Sequence, residues 1–179
     1  MREKLRKLWD EYGTQVLIVA LGLGAILLAQ NSYLSGPHPL EAQQAPGFSL
    51  PLLAGGTMEL SAHLGTDVVV LDFWATWCGP CRATLPEIAG LHAEYEGRGV
   101  QVYAVNIMEE PEMVRDFLGR LGLELPVTLD SYNEVAMLYQ ASYIPQTVLI
   151  GRDGIVARVH VGPVGLDALR AEIDALLGT

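Results

Sequence analysis

Two hydrophobic regimes divide the chain. Val16–Ala29 is an unbroken apolar run, VLIVALGLGAILLA, whereas from Gly47 onward short apolar runs alternate with segments of helical period. Extended to its less apolar flanks, the first region covers about 20 residues, enough for a helix to cross a bilayer core. Tyr12 and Tyr33 bracket it. As a helix they stand about 30 Å apart, the separation expected of aromatic anchors at two interfaces. Residues after it mix Pro, Gly and Gln without apolar period and read as a tether. The expected organisation is a basic flank (1–11), a transmembrane signal anchor (12–34), a linker (35–46) and a folded domain (47–179).

Within the domain, FSLPLL and TMEL flank Ala54-Gly55-Gly56 and predict a hairpin. Val68–Phe73 is nearly all apolar, as in a strand buried on both faces. Gly79–Tyr95 predicts a helix with Leu85, Ile88, Leu91 and Tyr95 on one stripe and a kink at Pro86. Val100–Ile107 is the next strand. Pro111 opens a helix that turns Met113, Val114, Phe117, Leu118 and Leu121 inward. A short strand at Pro126–Leu129, a short helix at Asn133–Tyr139, a strand–turn–strand across Gly151–Gly154 and an amphipathic helix through Leu166, Leu169, Ile173 and Leu176 complete the chain. This alternation predicts an α/β sandwich with a mixed sheet.

Charge sharpens the division. Of 179 residues with a net charge of −10, residues 1–11 carry four basic and three acidic side chains. The other 168 carry seven arginines against eighteen acids, a net of −11, and the first of those arginines is Arg82. The positive-inside rule therefore places the N-terminus in the cytoplasm and the domain outside. A cleaved signal peptide is the competing reading, though LLAQNSYLSG offers no small-residue cleavage site. An acidic domain without a basic patch argues against nucleic-acid binding.

Both cysteines fall in Trp77-Cys78-Gly79-Pro80-Cys81, between the buried strand and the helix it precedes. At a helix N-terminus, Cys78 meets unpaired backbone N–H groups and the positive end of the helix dipole, which favour the thiolate that attacks disulfides. Cys81, one turn on, is placed to close a disulfide with Cys78 and expel a product. Gly79-Pro80 supplies a tight turn compatible with the first helical turn. A zinc site would need two more ligands, and the four histidines are scattered. Haem attachment would need His where Arg82 stands. No metal and no cofactor is expected. Asp72, isolated in VVVLDF, is either a hydrogen-bonded structural residue or, with its pKa raised by burial, a proton shuttle for Cys81.

Asp72–Cys81 (DFWATWCGPC) resembles the active-site strand and loop of thioredoxins. Ala45–Leu50 (APGFSL), Arg82 and Pro86, Asp130, Val135-Ala136, Tyr139, Ile144–Ile150 (IPQTVLI) and Asp153-Gly154 resemble the membrane-anchored TlpA/ResA-type branch. The resemblance runs from about residue 45 to the C-terminus. It implies a thioredoxin-like three-layer sandwich with an N-terminal β-hairpin and a redox-active Cys78–Cys81 disulfide. It also implies a cis Pro145 against the cysteines, Ile144 pairing by backbone with a substrate chain, and Trp77 shaping the partner surface. Thr84 stands where that branch usually carries Glu, and Asp72 where it commonly carries Asn. Peroxiredoxins share the APxFxL opening but need a hydroxyl residue where this chain has Ala75, so that reading is set aside.

The expectation is a membrane-anchored, extracytoplasmic thiol-disulfide oxidoreductase. It would reduce protein disulfides, such as those of apocytochrome c, with electrons from a CcdA/DsbD-type thiol transporter. The alternatives are an oxidase that donates its disulfide to folding proteins and a tethered binding or chaperone module with incidental thiols.

Overall fold

The computed structural model describes residues 15, 17–26 and 37–178, which fall into two units divided after Pro37. In the first unit, residues 17–26 are helical, with Leu17, Ile18, Val19, Leu21, Leu23 and Ile26 exposed. Among the described residues no helix is long and apolar enough to cross a membrane. The expected flank over 1–11, and most of the expected anchor over 12–34, lie outside the described residues.

The second unit begins with strands β1 (Ser49–Pro51) and β2 (Thr57–Glu59), the expected hairpin, with Leu50 opposite Met58 and both buried. Next come β3 (Val68–Trp74), α1 (Gly79–Tyr95), β4 (Val100–Ile107), α2 (Pro111–Leu121), β5 (Val127–Asp130), α3 (Glu134–Leu138), β6 (Gln146–Ile150), β7 (Val156–Val161) and α4 (Leu166–Leu177). The five-stranded sheet runs β5-β4-β3-β6-β7. β3, β4 and β5 are parallel, and β6 and β7 are antiparallel to their neighbours.

Alternation along β3 builds three layers, because successive side chains of a strand face opposite sides of the sheet. Val69, Leu71 and Phe73 join a core with Val114, Phe117 and Leu118 of α2, Val135 and Ala136 of α3, and the hairpin. Val68 and Val70 join the other core with Ile88, Leu91 and Tyr95 of α1 and Leu169 and Ile173 of α4. This is the mixed-sheet sandwich expected from the pattern and the resemblance. α1 runs on through Pro86, and its predicted stripe is buried throughout.

Two expectations are corrected. Residues 38–46, assigned to the linker, belong to the folded unit. Ala42 N–H donates to Val156 O at 2.8 Å, Val156 N–H to Gln43 O at 2.9 Å and Ala45 N–H to Gly154 O at 2.9 Å. The Glu41 carboxylate accepts from Val159 N–H at 3.0 Å, and the Tyr139 hydroxyl donates to Pro46 O at 2.8 Å. A segment held by backbone bonds to an edge needs no apolar period, so its pattern resembles a tether. Met113 and Leu121, expected inward, are 55% and 48% exposed. The buried face of α2 narrows to Val114, Phe117 and Leu118, and Leu121 ends the helix beside a hollow lined by Gly79, Arg82, Ala83 and Phe117.

Candidate active site

The end of β3 delivers Trp74 and Ala75 into the core, and the chain turns through Thr76 and Trp77 to Cys78. Cys78 is the N-cap of α1, with extended backbone. Its Sγ accepts the Cys81 amide at 3.2 Å. Such a bond satisfies one of the donors every helix start leaves unpaired, and it favours negative charge on that sulfur. Cys78 and Cys81 are joined by a disulfide with Cα atoms 5.3 Å apart. Both are largely shielded, at 6% and 1% exposure, whereas Trp77, Gly79 and Pro80 are exposed around them.

The Ile144–Pro145 bond is cis. Pro145 is buried, Ile144 half-buried, and the Ile144 carbonyl oxygen lies 3.7 Å from Cys78 Sγ. Ile144 and Pro145 thus lie beside Cys78, Cys81, Trp77, Gly79 and Pro80 at one end of the sheet. Gly162 N–H donates to the Pro145 carbonyl at 2.8 Å, which ties the loop to the end of β7.

Asp72 lies deeper, two residues back from Trp74 on the face that meets α1 and α4. It is 1% exposed, and Thr147, its partner across β6, donates a hydroxyl hydrogen bond to Oδ1 at 2.9 Å. Oδ2 has no hydrogen-bond partner among the described residues. Burial pushes its pKa from 3.8 up to about 7, against the smaller lowering effect of the Thr147 bond. Asp72 borders a cleft of about 10 Å³ whose walls include Thr84, Glu87, Pro145 and Thr147. That is close to the room one water needs. Thr84 Oγ1 donates to the Cys81 carbonyl at 3.2 Å, so its hydroxyl is engaged on the helix. No hydrogen bond joins Asp72 directly to Cys81 among the described residues.

Glu109 was not singled out in the sequence. It is 6% exposed, and its carboxylate accepts from Thr76 N–H at 2.7 Å, from the Thr76 hydroxyl and from Asn106 Nδ2 at 2.7 Å. The one available signal was its position directly after β4 and before Pro111, where acids ordinarily mark a helix start. A surface groove of about 770 Å³, with Leu53, His92, Arg115 and Leu125 among its walls, contains none of the site residues. The cysteines instead lie just beneath the exposed rim formed by Trp77, Gly79 and Pro80.

Comparison with known proteins agrees with this geometry. The model of the AhpC/TSA family matches residues 42–159. The thiol-disulfide oxidoreductase ResA of Bacillus subtilis is 35% identical over 162 residues, covering 89% of this chain and 88% of that protein. The ResA of Halalkalibacterium halodurans is 31% identical over 160 residues, covering 89% of each. Among solved structures, a Chlorobium tepidum protein described as a thiol:disulfide interchange protein DsbE superposes with a TM-score of 0.70 at 38% identity. That match covers 77% of this chain and 98% of the other.

Proposed function

The chain belongs to the AhpC/TSA family and is a thiol-disulfide oxidoreductase of the ResA/DsbE type; from that premise we propose a membrane-tethered reductase of disulfides in exported proteins. The observation that carries the chemistry is Cys78 Sγ at the start of α1, taking the Cys81 amide and facing the carbonyl before cis Pro145. In the reduced protein, Cys78 thiolate attacks one sulfur of a substrate disulfide and the other substrate sulfur leaves as a thiolate. Cys81 thiolate then attacks Cys78 Sγ, the second substrate sulfur leaves, and the Cys78–Cys81 disulfide forms. Two electrons pass from the protein dithiol to the substrate. Asp72, with its pKa pushed up to about 7 and bordering a water-sized cleft with Thr84 and Pro145, accepts the Cys81 proton. The edge at Ile144 receives the substrate as an added extended strand.

A reducing role needs a donor of electrons across the membrane, and a CcdA/DsbD-type thiol transporter meets that need. The resemblance to the TlpA/ResA branch favours apocytochrome c cysteines as the oxidised substrate. Tethering is supported by the apolar run Val16–Ala29 and by the basic flank before it.

The test is trapping. Cys81→Ala leaves Cys78 to attack but removes the resolving thiol, so mixed disulfides accumulate and are identified from cells. Apocytochromes and a membrane thiol transporter are the expected partners. Capture of a broad set of newly exported proteins would assign the chain to oxidation instead, and capture of nothing would remove both.

A further inference from the structure

Glu109 is a buried carboxylate for which the dithiol chemistry above has no use. It lies in the turn between β4 and α2, and its side chain points back into the molecule while its neighbours Met108 and Glu110 are exposed. The turn is forced, because Met108 has φ +55°, a conformation uncommon for any residue but glycine. Both carboxylate oxygens are used as acceptors. Oε2 takes the Thr76 amide and Asn106 Nδ2, and Oε1 takes the Thr76 hydroxyl. The Glu109 carbonyl also accepts the Ser131 hydroxyl at 3.1 Å. In all three contacts the carboxylate is the acceptor. Among the described residues no Lys, Arg or His pairs with it.

Thr76 lies two residues before Cys78, and two residues span at most about 7 Å. The carboxylate therefore sits within about 10 Å of the Cys78 amide and, allowing for the side chain, about 14 Å of its sulfur at most, close enough at low local dielectric for one charge to act on another. We propose that Glu109 is a positioning residue that holds a fixed negative charge behind Cys78 through Thr76 and Asn106, disfavours its thiolate and so makes the dithiol a stronger reductant. The charge opposes the start of α1, which favours the thiolate. The balance between them sets how readily the pair gives up electrons, since a reduced form with a destabilised thiolate is the less stable partner of the disulfide. The inference rests on the reading of Cys78 as the attacking thiol.

The experiment follows iodoacetamide alkylation of the reduced full-length protein against pH, locating the modified cysteine by mass spectrometry. Glu109→Gln keeps the shape and removes the charge. The alkylation midpoint is expected to move to lower pH, and the rate at pH 6 to rise about threefold, less than the gain in thiolate because a less basic thiolate is a weaker nucleophile. The reduction potential measured at pH 9, where the thiolate is populated, is expected to rise. Glu109→Asp is expected to restore most of the wild-type profile. Thr76→Val retains the amide bond but removes one donor that screens the carboxylate, and is expected to move the midpoint the other way. It also serves as the test if the Gln variant does not fold. A midpoint unmoved by Glu109→Gln, or moved in the same direction by Thr76→Val, overturns the proposal. Alkylation of Cys81 ahead of Cys78 overturns the underlying reading instead.

Discussion

Asp72 is held at a cost to stability. Its carboxyl is 1% exposed with a pKa raised from 3.8 to about 7, so between those values the folded chain keeps a proton that the unfolded chain has released. Stability therefore falls as pH rises through that window and levels off above it. Asp72→Asn keeps an acceptor for Thr147 and removes the charge. It is expected to raise unfolding free energy at pH 8 by up to about 4 kcal/mol and to change it little at pH 4. Denaturant titrations of the oxidised protein at the two pH values check this, and an equal effect at both would refute the linkage. The same variant is expected to prolong the mixed disulfide with substrate, because in the proposed cycle Asp72 is the acceptor of the Cys81 proton. Asp72 was legible because a lone acid in VVVLDF must be buried wherever that strand lies centrally. Glu109 was not. Its partner Thr76 is 33 residues away, and no local pattern separates an acid that turns inward from one that starts a helix.

At the scale of elements, periodicity located every strand and α-helix of the folded unit, with ends displaced by up to two residues, but missed the short 3-10 helix at Leu60–Ala62. It failed where backbone bonding does most of the holding and only Leu40 and Ala45 reach the core, too few to show a period. Residues 38–46 are held by amide and carbonyl pairs to Gly154 and Val156 and by Glu41, none of which leaves a hydrophobic signature. Gly154 belongs to the same contact: with φ +79°, it would place a Cβ 2.6 Å from Gln44 Nε2. A protein lacking residues 1–37 is expected to retain the stability of the folded unit. One lacking residues 1–46 is expected to lose about 3 kcal/mol, from several hydrogen bonds contributing about 1 kcal/mol each. Equal thermal midpoints for the two truncations would show that the segment contributes nothing. α3 shows a similar limit. Its start is capped not by Asn133 but by Asp130, which accepts Glu134 N–H at 2.8 Å and Ala136 N–H at 2.7 Å from the end of β5.

For the whole molecule, the separation of charge carries the topological prediction. Four basic residues precede the apolar run and the domain beyond it bears −11. In a proposed single-pass arrangement the protein is expected to remain with membranes after an alkaline carbonate wash. Its reduced cysteines are expected to react with a membrane-impermeant maleimide added to intact cells. Release by the wash would argue for cleavage, and protection from the reagent would argue against an outside domain.

The spacing of two cysteines beside a buried strand announced redox chemistry, and the apolar periods announced a mixed α/β sandwich, because both are local properties of the chain. Strand order, the convergence of Ile144 and Pro145 on Cys78, the burial of Asp72 against Thr147 and the inward turn of Glu109 are long-range. Each joins segments tens of residues apart, and their proximity is set by how the sheet packs its two layers of helices, which no short stretch of sequence encodes.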